Sequence, residues 1–414
     1  MKTKIALTIP TGRPQIKEIL RAFLDNAQRY GYDLNDFSIY LAIDTTYQNR
    51  NLEDFRLDSD LERRLKKVEY ISEKERKKMS EKAIKEWEIT PHIAQTLYQG
   101  NGYAKQRNAA ITFALRDGNN VAICFDDDET PYVPLKKENR EIQWAQSDFF
   151  TPHLEALLTG TDITKGPCLG YFSPIPSDFE RDIPKDIRRK LGEALSLGNE
   201  VINKDSFLNI FMKQFKYLSE SEFRTPIEPV IVPWGKHGKP IPGGNMGINL
   251  DSMRAQKIPI FYTPPNARGE DTIFGLQLKK AKVKKVNAYI FHDPFGLHPG
   301  ILSKRFPKRP KPIPVTPDSK RRFANALIGW LKYAPLLIAM TSKNRKQRIR
   351  EMIEKIQSPT QEIAKILDCP EINNSITILE QYGNNVDIHL QELAQTQREW
   401  IKGVIPNLSN PVLV

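Results

Sequence analysis

Two periodicities alternate along the first 130 residues, and that alternation limits the fold more than any other feature of the chain. Ile5–Ile9 is a short apolar run closed by Pro10-Thr11-Gly12, the composition of a strand and its turn. Residues 15–30 then place Ile16, Ile19, Leu20, Phe23 and Ala27 on one helical face before Gly31 punctuates them. Phe37–Ile43 reads as a second strand ending at Asp44, and the Glu-, Lys- and Arg-rich residues 51–90 read as solvated helix. Tyr103–Leu115 reads as amphipathic helix and Val121–Phe125 as a strand of the buried type. Strands that alternate with helices predict an α/β fold with a mostly parallel sheet and flanking helices, whose sites form beyond the carboxyl ends of the strands.

Residues 131–235 hold many prolines and aromatics without either period, which suits insertions over a cleft. From Phe306-Pro307-Lys308-Arg309-Pro310-Lys311-Pro312 to Asp318 the chain is proline-rich and basic, so an extended linker is expected there. Residues 319–400 read mainly as helix. The expected division is an α/β domain over 1–300, a basic linker over 301–318 and a helical C-terminal region over 319–414.

The net charge of +12 is concentrated in one place. Residues 301–350 carry 14 Lys and Arg against one acid, Asp318, so the rest of the chain is close to neutral. Base-stacking aromatics are sparse in this segment, which counts against nucleic acid. Its apolar run from Phe323 through Trp330 to Met340, flanked by basic clusters, suits peripheral contact with an anionic membrane surface. Lys332 and Pro335 interrupt that run and it is short for a span, so a helix packed on the α/β domain is the favoured reading. Cys124, Cys168 and Cys369 show no paired spacing, and the N-terminus runs straight into a strand with no signal-like apolar stretch. Both observations predict a cytoplasmic protein.

Five constellations carry chemistry. Asp126-Asp127-Asp128 stands directly behind the apolar strand, and three adjacent carboxylates at a strand end repel one another unless a cation or several donors compensate. Hard oxygen ligands suit Mn²⁺ or Mg²⁺ shared with substrate phosphates, and alternate residues of an extended chain let Asp126 and Asp128 reach one ligand; an acidic turn is the plainer alternative. Arg268-Gly269-Glu270-Asp271 precedes Ile273-Phe274 and can be a helix cap or the seat of a general base. Gly243-Gly244-Asn245-Met246-Gly247 lets backbone approach a ligand, or simply turns. His292 follows Tyr289-Ile290-Phe291 and is either structural or a third metal ligand. Lys105 or Arg107, in Tyr103-Ala104-Lys105-Gln106-Arg107-Asn108, can clamp a diphosphate, Arg by a bidentate fork, or lie on a solvated face.

The order of these motifs resembles the GT-A glycosyltransferases, especially the large inverting family 2, over about residues 3–300. The resemblance implies a Rossmann-like GT-A domain and a nucleotide-diphosphosugar donor, with UDP-sugar favoured, lying across the sheet. It implies that Pro10, Thr11, Arg13 and Asp44 line the nucleoside pocket, with Gly244 beside the donor, and that Arg107 contacts base or diphosphate. Asp126 and Asp128 resemble the family's Asp-x-Asp motif, Asp128 for metal and Asp126 for ribose or metal, with His292 completing the coordination. Asp271 would be the base that activates an acceptor hydroxyl of unspecified identity, with Glu270 as its substitute. The implied activity is metal-dependent, inverting hexosyl transfer. A sugar nucleotidyltransferase or sugar-nucleotide mutase is the alternative enzyme, but Pro10-Thr11-Gly12-Arg13-Pro14 lacks the Gly-rich start of nucleotidyltransferases. A non-catalytic basic protein that binds membrane or nucleic acid is the third reading, and it would leave the acidic cluster dispensable.

Overall fold

The computed structural model describes residues 3–137, 141–171, 175–176, 179–199, 215–225, 228–235 and 238–409. Part of the 131–235 stretch and residues 410–414 therefore lie outside the described residues.

Strand β1 (Ile5–Thr11) pairs in parallel with β2 (Phe37–Ile43), which pairs in parallel with β3 (Lys67–Ile71); on the other side β1 meets β4 (Val121–Cys124), also in parallel. Alternate residues of these strands point to opposite faces, and the two sets feed two hydrophobic clusters. Ala6, Tyr40, Ala42, Ala122 and Cys124 join one cluster. Ile5, Leu7, Ile9, Phe37, Ile39, Leu41, Val121 and Ile123 join the other. Both faces are thus covered, which explains why these strands read as unbroken apolar runs. Helix α1 (Ile16–Arg29) packs Ile16, Ile19, Leu20 and Phe23 on the second face. Helix α2 (Tyr103–Arg116) packs Ala109, Ala110 and Phe113 on the first.

β3 corrects the reading of residues 51–90 as solvated helix. It is an edge strand of which only Ile71 is fully buried, so no apolar run marks it. Its charges are paired instead, Lys67 lying 2.8 Å from Glu69 and 2.7 Å from Asp117.

Downstream strands extend this sheet and build two smaller ones. In chain order they are β5 (Glu129–Thr130), β6 (Tyr132–Lys136), β7 (Ile142–Gln146), β8 (Ile163–Lys165), β9 (Cys168–Gly170), β10 (Leu218–Ser219), β11 (Val230–Ile231), β12 (Met246–Asn249), β13 (Val283–Lys285) and β14 (Ile290–His292). The main sheet has the order β11-β13-β8-β12-β4-β1-β2-β3, with β11 and β12 opposed in direction to the other six described strands. This is the mostly parallel α/β sheet with flanking helices that the sequence predicts. β5, β14 and β9 form a small sheet above its carboxyl edge.

Behind helix α3 (Glu270–Gln277), residues 304–316 run without helix or strand, as expected of a proline-rich basic segment. They are tied down: Ile142 N donates to Lys308 O at 2.8 Å and Trp144 Nε1 to Pro307 O at 2.7 Å. Helix α4 (Pro317–Thr341) then continues through Lys332 and Pro335, and α5 (Arg345–Leu367) and α6 (Val386–Glu399) follow. α4 is long and apolar enough to cross a membrane by length and composition, yet two-thirds of its most apolar stretch (67%) is buried in the protein. Phe323, Leu327 and Leu331 pack with Ile187, Leu191 and Met352, and Tyr333 and Leu337 pack with Tyr262 and Ile273. Further on, Trp400, Val404 and Ile405 close one face of the main sheet. The C-terminal helices therefore share cores with the α/β sheet.

Candidate active site

Parallel pairing of β1 with β4 brings the turn after Thr11 beside the aspartates after Cys124. Asp127 Oδ2 accepts hydrogen bonds from Thr11 Oγ1 (2.9 Å), Gly12 N (2.9 Å) and Arg13 N (3.2 Å), so this carboxylate holds the turn. Arg13 Nη1 donates to Asp128 Oδ2 at 2.8 Å. A Cβ on Gly12 would lie 2.6 Å from Cβ of Tyr47, which explains the missing side chain where the β1 and β2 ends converge. Asp44 N bonds Thr11 O at 2.7 Å, carrying the β1–β2 pairing one residue beyond the strand.

Arg107, on α2, lies below this turn with a side chain only 3% exposed. Its Nη2 donates to Asp126 Oδ1 at 2.8 Å, and its Nε reaches Glu270 Oε1 at 3.4 Å. Gly243 lies against Arg107, and Gly244 against a further buried carboxylate, Glu129. A Cβ at Gly243 would stand 2.7 Å from Arg107 Nη2, and one at Gly244 would stand 2.2 Å from Glu129 Oε1. The glycines are needed for close approach of backbone to buried charge.

Antiparallel pairing of β5 with β14 sets His292 opposite Glu129, and Asp293 N donates to Asp128 O at 2.8 Å. His292 Nδ1 lies 2.5 Å from the Tyr171 carbonyl oxygen. A carbonyl only accepts, so Nδ1 carries the proton, and Nε2 faces Asp128 Oδ1 at 3.6 Å. With Nδ1–H held by a backbone carbonyl, as in most metal-ligating imidazoles, Nε2 faces the carboxylate across a gap that a proton or a cation can bridge. The donor set thus fits a divalent cation at Asp128 and His292. Asp126, turned to Arg107, does not converge with them, and among the described residues no three His, Cys, Asp or Glu side chains form a closed metal cage.

Carboxylates outnumber cations at the floor of the site. Burial, with Asp128 and Glu270 nearby, raises the pKa of Asp126 despite Arg107. Burial and Asp128 push Asp127 up to about 6, and burial with Asp126 and Asp128 pushes Glu129 well above the usual glutamate range. Against burial, His292 and Arg13 hold Asp128 below its usual value.

Above this floor lies a cavity of about 360 Å³. Pro10, Thr11, Gly12 and Arg13 line it from the end of β1, and Asp44 and Tyr47 from the end of β2. Gly102, Tyr103 and Gln106 contribute from the start of α2, joined by Asp127 and Asp128. Arg268, Phe295 and, from α4, Arg322 and Asn325 complete the lining. The structure therefore gathers Pro10, Thr11, Arg13, Asp44 and Asp128 around one cavity, with His292 beside Asp128. Arg107, Asp126, Gly244 and Glu270 form the layer of charge and close packing next to it. Asp271 opens α3 beside Glu270 and Arg268, half-exposed, its Oδ1 accepting from Thr272 N at 2.8 Å.

Sequence reasoning missed Tyr47, Phe295, Arg322 and Asn325. Tyr47 stands in a polar stretch and Phe295 after a proline, where no periodicity singles them out. Arg322 was hidden in the basic cluster Lys320-Arg321-Arg322.

No family model matches the chain, and no curated protein matches it significantly. Among solved structures, Staphylococcus aureus TarS residues 1–349 in complex with UDP-GlcNAc is similar over 92% of each chain, at 11% identity and a TM-score of 0.36. The same protein in complex with UDP is similar over 94% of this chain and 92% of that one, at 10% identity and a TM-score of 0.34. Likeness at this level assigns no role to any residue of the present chain.

Proposed function

We propose that the protein is a glycosyltransferase that moves a sugar from a nucleoside-diphosphate donor, UDP-sugar first among candidates, to an acceptor hydroxyl. The observation that carries this reading is the composition of the cavity at the carboxyl ends of β1, β2 and β4. Tyr47 and Tyr103 offer aromatic faces to a base, Asp44 a hydrogen-bond acceptor, and Arg13, Arg268 and Arg322 positive charge to a diphosphate. Such a mixture fits a ligand with an aromatic end and an anionic end, and it lies where open α/β sheets bind ligands.

In the proposed reaction the acceptor oxygen bonds to the anomeric carbon as the bond from that carbon to the β-phosphate oxygen breaks. The acceptor's proton passes to a carboxylate, and the electron pair leaves with the nucleoside diphosphate. Asp271 suits the proton transfer better than Glu270, because Glu270 is buried and ion-paired with Arg107 whereas Asp271 is half-exposed. Attack from the face opposite the leaving group inverts the anomeric centre. A Mn²⁺ or Mg²⁺ held by Asp128 and His292, with Asp126 nearby, would supply positive charge for the leaving diphosphate. Arg13 holds Asp128 in place, and Asp127 holds the turn that carries Arg13.

Titration calorimetry of UDP and GDP, with and without Mn²⁺, tests the reading against Asp128→Ala. Binding that requires metal and disappears in the variant is the expected result and identifies the nucleotide. A wild-type protein that binds neither nucleotide under any condition refutes the proposal.

A further inference from the structure

We infer that helix α4 is part of the donor site and that its Arg322 grips the donor's diphosphate; this deepens the glycosyltransferase reading and rests on it. The start of α4 is fixed locally. Thr316 Oγ1 accepts from Ser319 N at 3.1 Å, Thr316 N donates to Ser319 Oγ at 2.8 Å, and Pro317 occupies the first helical position. Arg322, on the next turn, is then aimed by three contacts. Its Nη1 donates to Pro294 O at 2.6 Å, its guanidinium lies 4.9 Å from the centre of the Phe295 ring, and its Nε stands 3.6 Å from Asp318 Oδ2. So placed, it lines the same cavity as Tyr47.

What separates Arg322 from Arg13 and Arg107 is how each charge is already used. Arg13 is engaged by Asp128 at 2.8 Å and Asp127 at 3.4 Å, and Arg107 by Asp126 and Glu270. Both charges are thus spent on the carboxylates of the floor. Arg322 has a looser partner in Asp318, whose side chain is 59% exposed and screened by water, so more of its charge is available to an anion in the cavity. The fork of a guanidinium, already oriented by a ring and a carbonyl, suits two phosphate oxygens at little further entropic cost.

α4 also shapes the second cationic wall. A Cβ at Gly329 would lie 2.6 Å from Arg268 Cδ, so this glycine makes room for the arginine's stem on the helix surface. One turn on, Tyr333 packs against Gly269, the residue that joins Arg268 to Glu270. The corner that leads into α3 is therefore seated on α4.

Calorimetry of uridine, UMP and UDP against wild type, Arg322→Ala and Arg322→Lys tests the inference. A charge-assisted hydrogen bond to the diphosphate predicts that Arg322→Ala weakens UDP by about 10-fold or more and uridine by less than about two-fold. Arg322→Lys, which keeps a point charge without the fork, should fall between wild type and Arg322→Ala. Unchanged UDP affinity in Arg322→Ala refutes the grip on diphosphate. So does equal loss of uridine and UDP, which would mean that only the wall is damaged. Wild type that binds none of the three ligands refutes the donor reading itself, and the inference falls with it.

Discussion

Replacing Arg107 with methionine should destabilise the fold, and the structure sets the size of the effect. The aliphatic stem is matched, so the loss is that of the charge between Asp126 and Glu270. Asp126 is 28% exposed and can recover solvation, whereas the Glu270 side chain is 9% exposed and cannot. Breaking a buried pair from one side typically costs about 3–5 kcal/mol, because the other charge stays behind. Protonation limits the damage. A carboxyl with an ordinary value near 4.3 in the unfolded chain takes up a proton at pH 7 for about 3.7 kcal/mol, and at pH 5 for about 1 kcal/mol. The predicted penalty is therefore about 3–4 kcal/mol at pH 7 and about a third of that at pH 5.

Scanning calorimetry reads this directly. With an unfolding entropy of about 2.1 cal/mol/K per residue, a chain of 414 residues loses roughly 1 °C of Tm for each 0.9 kcal/mol. Arg107→Met should melt about 3–5 °C below wild type at pH 7 and within about 1–2 °C at pH 5. Arg107→Met/Glu270→Gln should recover at least half of the loss at pH 7, since no charge is then stranded. A penalty below about 1 kcal/mol at pH 7, or one that does not shrink on acidification, refutes the placement of Arg107 as a buried post for Glu270.

Two other sites give equally definite expectations. His153 is fully buried, its Nε2–H donating to Asn245 Oδ1 at 3.0 Å while Nδ1 accepts from Thr164 Oγ1 at 2.7 Å, and burial lowers its pKa to about 4. The unfolded chain therefore takes up the proton first, so this contribution is complete above pH 6.5 and is lost as the pH falls towards 4. The loss amounts to about 3 kcal/mol, and the difference in urea midpoint between wild type and His153→Gln should narrow over that range; a constant difference refutes it. Gly269 has φ +86°, and a Cβ there would meet Tyr333 Cδ1 at 2.7 Å. Gly269→Ala should cost about 1–2 kcal/mol from the backbone alone, plus a clash that Tyr333→Leu relieves. Thermal melts of the single and double variants separate the two parts, and a neutral Gly269→Ala overturns the account.

The parts of the fold that were legible in the sequence are those whose burial leaves a mark on spacing. β1, β2 and β4 are covered on both faces and read as apolar runs, and α1 shows its stripe of Ile16, Ile19, Leu20 and Phe23. β3 was missed because its alternation of Lys67 and Glu69 with Val68 and Tyr70 is only five residues long, has one fully buried residue and sits in a stretch dominated by charge. In the site, the carboxylates at the end of β4 announced themselves, because adjacent like charges behind a buried strand need compensation. Which group compensates them was not readable. Arg107 and Arg322 both appear in sequence as members of basic or polar helices; one lies under the acidic floor and the other over it. Periodicity says which face of a helix is covered, not what covers it.

The distribution of charge takes on a different meaning once the chain is folded. As a sequence, the basic segment 301–350 invites an external anion, whether nucleic acid or lipid headgroup. In the structure part of that charge is turned inward or spent within the protein. Arg345 pairs with Asp387 at 2.6 Å, Lys304 approaches Asp25 at 3.7 Å, and Arg322 faces the cavity beside Asp128. The floor of that cavity is the complementary surplus: Asp126, Asp127, Asp128, Glu129 and Glu270 set against Arg13 and Arg107. An acidic strand end and a basic helix some two hundred residues later are thus halves of one electrostatic arrangement, brought together by apolar packing of α4 on the corner at Arg268 and Gly269. Screening by salt acts far more strongly on exposed charge than on charge inside such a cavity. Anion binding by the cavity should accordingly outlast, as salt is raised, any attraction of anions to the exposed lysines and arginines of the same segment.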